Sequence, residues 1–383
     1  MINMTPPLRI WHRAIRALFF VLGMAMGVWG AQVPAVKLHY RLDEQTLSLA
    51  LLAAALGAVL CVLAAGALVA RLGVRRSVLT GGLLTLASLA LVLQTEHLGA
   101  LFALMLVFGA GSALFDVAVN ADGNALELAG ERKVMSGLHA MFSLGGMAGA
   151  LLCAALHRAG VAPAVQLAGS ALAMGGLLVA AAGQVSAQRS GRNEAAAPLA
   201  WPRGILFWMG ALTALCMLAE GAMYDWSALF MRQELGSDAA TGALGFAAFS
   251  AAMAIGRLLG DRVRERFAPV ALLRGSGVLA TAGMALALTT PTPAVALAGF
   301  MLVGLGLANV VPVMFAAAAR VPGVSAAHGI AALASVGYLG FMVGPPLIGA
   351  LARWTSLTAA LWAVALFAVL VGAAARAVLS RAS

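Results

Sequence analysis

Long apolar runs alternate with short polar breaks along almost the whole chain. A membrane-spanning helix needs about 20 predominantly apolar residues. Reading the runs between charged or Pro/Gly breaks predicts twelve segments of that kind. They cover roughly 15–36, 46–70, 76–95, 98–121, 134–156 and 163–184, then 204–230, 240–262, 269–289, 293–318, 325–351 and 355–379. Most connections are only a few residues. The longest polar break, 185–203, contains Ser186-Ala-Gln-Arg-Ser-Gly-Arg-Asn-Glu-Ala-Ala-Ala-Pro198. It divides the chain into six segments and six. The expected architecture is an all-α membrane protein with a bundle at 1–184, a linker at 185–203 and a second bundle at 204–383.

Composition agrees. Of 383 residues, 62% are hydrophobic and 10% charged, with a mean hydropathy of +0.97. Soluble domains are about 45–50% apolar and about 25% charged, so a soluble globular class is excluded. The net charge of +10 would by itself suggest nucleic acid. Its distribution gives a different reason. With the N-terminus in the cytoplasm, 19 Lys and Arg residues fall inside and five (Lys37, Arg41, Arg158, Arg232 and Arg353) fall outside. That bias is the positive-inside rule. It predicts that both termini are cytoplasmic and that no nucleic acid is involved. Arg9, Arg13 and Arg16 before the apolar stretch 17–31 imitate a secretory signal, but the run is too long and reads as a retained first segment. Cys61, Cys153 and Cys216 sit in apolar runs with no metal or redox spacing, and are expected to be small buried hydrophobes.

Polar residues inside this apolar chain are therefore informative. A charge at the bilayer centre costs about 2.5–3.5 kcal/mol on insertion scales. Asp43, Glu96, Glu131, Glu194 and Asp238 sit in the breaks, whereas Asp116, Glu220 and Asp225 lie within segments. The stretch from Gly109 to Gly149 is the most polar. Asp116, Asn120 and Asn124 share one helical face, and Ser136, His139 and Ser143 share another. Glu131, Arg132 and Lys133 lie in the connection below them. A hairpin is expected to turn the two stripes together and form the inward end of a path. A histidine can exchange a proton near neutral pH, so Asp116, Asn120 and His139 are candidates for a substrate or proton pathway. A plain network tying two helices together is the other reading. Glu220 in segment 7 and Gln32 in segment 1 are expected to occupy matching positions, the first protonatable and the second not. Asp225 and Trp226, beside Tyr224, are candidates for an outer gate together with Tyr338, although aromatics near a membrane surface are also ordinary belt residues. Trp29, Asn309 and Tyr338 suit either a cavity lining or helix packing. Gly145, Gly146 and Gly149, with Gly337, Gly340 and Gly344, suit close helix approach.

The two halves repeat. Gly109-Ala-Gly111 parallels Gly304-Leu-Gly306, and Ser143-Leu-Gly145 parallels Ser335-Val-Gly337. Parallel six-helix repeats are a transporter arrangement. The connection Gly66-Ala-Leu-Val-Ala-Arg71-Leu-Gly73-Val-Arg75-Arg76 resembles the loop signature of the major facilitator superfamily, with Ala70 where that family has an acid. Gly256-Arg257-Leu-Leu-Gly260-Asp261-Arg262 resembles the second copy and keeps its acid. The resemblance implies a cytoplasmic charge latch from Arg71, Arg75, Arg76, Arg257, Asp261 and Arg262, weakened or rebuilt in the first half by Ala70. Phe115-Asp-Val-Ala-Val-Asn120, Met135-Ser-Gly-Leu-His139, Phe142-Ser-Leu-Gly-Gly146, Glu220-Gly-Ala-Met-Tyr-Asp225-Trp226, Gly256-Arg-Leu-Leu-Gly-Asp261, Gly337-Tyr-Leu-Gly-Phe341 and Gly344-Pro-Pro346 are similar to YbjJ-type inner-membrane transporters near the fucose-permease-like branch.

The resemblance implies a secondary transporter that alternates access between two rocking halves. The embedded acids suggest proton coupling, and the branch suggests a small polar, sugar-like solute. The expected protein is a monomer of the inner membrane without a cofactor. An efflux antiporter for apolar drugs is the rival within transport. A membrane sensor that has lost transport is the rival outside it, and Ala70 is the feature that points there. No Walker loop, metal spacing or catalytic constellation supports an ATP-driven pump or an enzyme.

Overall fold

In hydrocarbon every backbone N–H and C=O must be satisfied within the chain, so apolar runs of this length fold as helices. A computed structural model describes residues 6–130, 134–185 and 203–380. Its helices are α1 (Pro6–His39), α2 (Glu44–Leu72), α3 (Val74–Leu91), α4 (Leu98–Gly130), α5 (Met135–Arg158), α6 (Pro163–Ala182), α7 (Ile205–Gln233), α8 (Ala239–Arg266), α9 (Pro269–Thr289), α10 (Pro293–Leu307), α11 (Val310–Ala318), α12 (Ala326–Trp354) and α13 (Leu357–Leu379). Twelve spans among the described residues are long and apolar enough to cross a membrane. The fold is the expected all-α arrangement. Local chemistry sets many of the ends. Pro163, Pro269 and Pro293 begin α6, α9 and α10, where a missing N–H costs nothing. The Asp238 carboxylate caps α8 by accepting from the Thr241 N–H at 2.7 Å. Gly73 turns between α2 and α3 at φ 81°, a left-handed conformation that favours glycine.

Two elements differ from the sequence expectation. Segment 10 is two helices, broken at Ala308 and Asn309. Pro312 supplies the reason: it has no N–H for the Ala308 carbonyl, and its ring crowds that oxygen. In addition, α4 continues to Gly130, so Asp122 and Glu127 are helical residues rather than loop residues.

The chain divides into two compact units, Met1–Leu42 with Ala50–Ala195 and Asp43–Leu49 with Ala196–Ser383. In the first, α1 packs along α5 and α6, and α3 packs on α4 and α6. In the second, α7 packs along α12 and α13, and α10 packs on α8 and α9. The expected pairing of α4 with α5 through their polar stripes is corrected here, because the principal partner of α5 is α1. Glycines determine that choice. A Cβ at Gly23 would lie 1.9 Å from the Phe142 carbonyl oxygen, and one at Gly145 would lie 2.1 Å from that of Phe20. With lipid as apolar as leucine, such close backbone packing is what holds membrane helices together.

The second unit repeats this contact. Gly145 meets Phe20 and Met24, and Gly337 meets Thr213 and Met217. Likewise Gly109 lies on Ala54 and Gly111 on Gly81, while Gly304 lies on Phe249 and Gly306 on Ser276 and Ala280. The repeat therefore has a defined register. It matches Gln32 with Asp225 and Gly27 with Glu220, which corrects the expected pairing of Gln32 with Glu220. Counting from the segment ends misplaced the match because position 16, near the start of the first segment, corresponds in this register to position 209 and not to 204.

Candidate functional site

The second unit buries an ion pair. Cys216, Glu220 and Tyr224 recur at helical spacing along one face of α7. Glu220 lies about 22 Å along α7 at about 1.5 Å per residue, near the middle of a helix of 29 residues. The Arg257 guanidinium, projecting from α8, donates from Nη2 to Glu220 Oε1 at 2.8 Å. The Tyr224 hydroxyl donates to the same oxygen at 2.8 Å. Only 7% of the Glu220 side chain and 16% of the Arg257 side chain are accessible. The Tyr224 ring lies against Phe246 and Phe249, with centroids 5.2 and 5.3 Å away. Taking two charges out of water is expensive, and only mutual pairing with further hydrogen bonds offsets it. An acid placed mid-helix by the sequence thus recruits the nearest arginine of the neighbouring helix.

The helix break adjoins this pair. Asn309 sits between α10 and α11, and its Nδ2 donates to the Gly256 carbonyl at 3.2 Å. Gly260 has no Cβ to obstruct it; one there would stand 2.4 Å from Asn309 Oδ1. Broken helices at mid-depth are a recurring feature of transporter binding sites. Asn309 is buried, and its amide ties the break to α8 one residue before Arg257 instead of lining a cavity.

Three other expectations change. Arg257 was grouped with a loop latch, but its carboxylate partner is Glu220, because α8 turns that side chain toward α7. Asp261 is exposed and pairs instead with Arg264, one turn away. Trp226, expected at an outer gate, is 0% exposed in the core of the second unit, since its face of α7 points inward. Asp225 beside it is half-buried, and the side chain of Tyr338 lies outside the described residues. Arg71, Arg75, Arg76 and Arg262 are exposed at helix ends, and Ala70 is exposed in the last turn of α2.

In the first unit Asp116 and Asn120 form a local pair. Asn120 Nδ2 donates to Asp116 Oδ1 at 3.0 Å and to the Asp116 carbonyl at 2.9 Å. Both are half-buried, whereas Asn124 is exposed. His139 is not brought to them; its ring stands edge-on to Phe19 of α1 at 5.4 Å. Gln32 lies in a chain of amides missing from the sequence reading. Its Nε2 donates to Gln166 Oε1 at 2.7 Å, and Gln166 Nε2 reaches the Val161 carbonyl at 2.8 Å and His157 Nδ1 at 3.1 Å. Asp122 was also missed. It is 1% exposed and accepts from the Trp11 indole N–H at 2.7 Å. Its signal was available, since an acid six residues after Asp116 belongs to the same helix once that helix is allowed to run to Gly130. Glu127 Oε1 accepts from the backbone N–H groups of Val134 and Met135, which caps α5 with a carboxylate. Residues 131–133 lie outside the described residues, as does the linker 186–202. No group of three His, Cys, Asp or Glu side chains that could hold a metal occurs among the described residues.

Comparison with known proteins gives a consistent result. A family model described as "Major Facilitator Superfamily" matches residues 17–328 and 212–382. An uncharacterized MFS-type transporter of Yersinia pestis is 35% identical over 363 residues, covering 95% of this chain and 94% of its own. Membrane protein MosC of Rhizobium meliloti is 34% identical over 377 residues, covering 97% and 90%. Among solved structures, the nucleoside transporter NupG superposes with a TM-score of 0.75 at 14% identity, covering 95% of this chain and 98% of that one. The Escherichia coli fucose:proton symporter FucP superposes with a TM-score of 0.63 at 16% identity, covering 96% and 98%. These structures resemble it in fold.

Proposed function

The chain belongs to the major facilitator superfamily, and from that premise we propose that it is a proton-coupled secondary transporter of a small polar solute. Its relatives are membrane transporters, not enzymes, and it is a multi-pass membrane protein. The observation that carries the proposal is the mid-helix pair of Glu220 and Arg257. A carboxylate kept inside the membrane beside a cation is a proton relay in waiting, since ionisable groups at this depth mark ion and substrate paths. Asp116 with Asn120 is proposed as the corresponding polar element of the first unit, and Asp225 as a gate residue near the outer end of α7. Sugar-like solutes remain the first guess, in keeping with the fucose:proton symporter among its structural neighbours. Arg71, Arg75, Arg76, Asp261 and Arg262 are proposed to serve the family's loop latch. The positive-inside distribution supports the inner membrane with both termini in the cytoplasm. The test is uptake of radiolabelled polar solutes by proteoliposomes under an imposed pH gradient. Acid outside should drive accumulation, and accumulation that ignores the gradient would sink the coupling.

A further inference from the structure

We propose that the second unit binds a sodium ion between α7 and α12, held by the Asp225 carboxylate and the backbone carbonyls of Phe341 and Met342. The ion site is separate from Glu220 and does not depend on that residue's carrying a proton.

Asp225 lies about 12 Å before the C-terminal end of α7, at about 1.5 Å per residue. It is half-buried, and among the described residues no hydrogen bond or ion pair reaches its carboxylate. Leu218 and Gly221 share its face of α7, and both lie on α12. A Cβ at Gly221 would stand 3.0 Å from the Phe341 ring, and Gly344 lies against Leu218.

The repeat identifies what stands opposite. In the first unit Gln32, which matches Asp225, meets the Cys153 thiol of α5. The register that matches Gly145 with Gly337 also matches Cys153 with Pro345. Gln32 is neutral and bonded to Gln166, and α5 contains no proline. In the second unit the amide is replaced by a carboxylate, and α12 carries Pro345 and Pro346 inside the helix. Two prolines cannot donate to the carbonyls four residues before them, those of Phe341 and Met342. A helical carbonyl points toward the residue four ahead, so these oxygens lie at the level of Asp225. Both departures from the first unit therefore fall at one place. Inside hydrocarbon a released carbonyl needs a partner, and so does a carboxylate. A hard cation takes oxygen ligands of both kinds, and carbonyls freed from helix pairing coordinate sodium in transporters.

The surrounding charges suit a monovalent ion. Glu220 pairs with Arg257 and accepts from Tyr224, on the face turned to α8 with Cys216. Arg232, two turns past Asp225, lays its stem on Gly242 of α8, and Glu234 accepts from Thr358. The helices α10 and α11 carry no ionisable side chain, and His328, Arg353 and Arg376 lie in terminal turns of α12 and α13. Asp261 to Arg266 end α8, and Arg274 lies in the second turn of α9. Asp43 and Glu44 cluster with this unit, where Ser48 meets Gly349, and both have partners of their own. One carboxylate is left for one positive charge, and the close approach at Gly221 favours a small ion.

Thermal melting of the purified full chain tests this, with sodium, lithium or potassium titrated against choline at constant ionic strength. Sodium should raise the midpoint saturably, and potassium should not. Asp225→Asn should lose the response. Pro345→Ala returns an N–H to the Phe341 carbonyl and should raise the half-saturating sodium concentration about tenfold; Pro346→Ala should do the same through Met342. These two variants carry the test if Asp225→Asn fails to fold. No sodium response, an equal response to potassium, an intact response in Asp225→Asn, or native sodium affinity in both proline variants would each overturn the site. None of these outcomes touches the reading of Glu220, since the assay contains neither solute nor pH gradient.

Discussion

Arg257 Nη2 lies 2.8 Å from Glu220 Oε1, joining the middle of α7 to α8 through an ion pair that is almost out of solvent's reach. Removing one member leaves the other charged and buried, at a cost of about 3–5 kcal/mol, whereas removing both charges together is far cheaper. Arg257→Gln and Glu220→Gln should each lower the thermal midpoint clearly, and Glu220→Gln/Arg257→Gln should recover most of the loss. Fluorescence melting of the four proteins in one detergent measures this. Additive losses would show that the two side chains are not coupled.

Coupling gives a separate expectation. Glutamine at position 220 keeps the hydrogen-bond acceptor for Arg257 and Tyr224 but cannot carry a proton. Glu220→Gln should lose accumulation driven by acid outside, yet still exchange labelled for unlabelled solute across the membrane. Preserved gradient-driven accumulation would move the proton to another acid, with Asp225 and Asp116 next to be tested.

How much of this was legible in the sequence depends on what each feature needed. Helix positions required only local composition, since 20 apolar residues between breaks leave no alternative in a bilayer. That Glu220 would need a partner was legible for the same reason, because an acid in such a run demands explanation. Its partner was not. Arg257 sits in a motif whose family role is a loop latch, and one helical turn of depth decides whether its side chain points to the loop or to α7. The partner of α5 was hidden too. Polar stripes suggested α4, but the glycines at 23, 27, 145 and 149 set the approach, and which glycines meet depends on helix order. The break at Asn309 had a visible cause in Pro312, which an apolar run between ends conceals.

The contact between α1 and α5 leaves no room for a methyl group. A Cβ at Gly27 would lie 2.0 Å from the Gly146 carbonyl oxygen, so Gly27→Ala must push two backbones apart. Overpacking of this kind typically costs about 1–3 kcal/mol. Gly137→Ala, on the same α5 with open space around it, should be close to neutral. Thermal midpoints of the two variants, measured side by side, check the contrast. Equal effects would mean that the approach is looser than described.

Trp11 and Asp122 tie the first turns of α1 to α4. The indole N–H donates to Oδ2 at 2.7 Å, and a hydrogen bond to a charged acceptor is worth about 1.5–3 kcal/mol. Trp11→Phe keeps most of the ring and removes the donor, so it should lower stability by about that much. Asp122→Asn should cost less in the Trp11→Phe background than in the native chain. Independence of the two substitutions would show that the bond does not form.

The helix break offers the sharpest test, because two side chains there compete for one space. Asn309 reaches across to the Gly256 carbonyl, and its Oδ1 occupies the volume that a Cβ at Gly260 would enter, 2.4 Å away. Gly260→Ala must therefore displace the amide and break its bond to α8. Asn309→Ala alone loses that bond and opens the space. Once the amide is gone, the added methyl meets no obstacle, and alanine is favoured over glycine inside a helix by about 0.8–1.0 kcal/mol. Gly260→Ala should thus destabilise the native chain but be neutral or stabilising in the Asn309→Ala background. Coupling between residues in contact is typically about 0.5–3 kcal/mol, which a melting experiment on the four proteins resolves. Additive effects of the two substitutions would show that the amide and the added methyl do not meet.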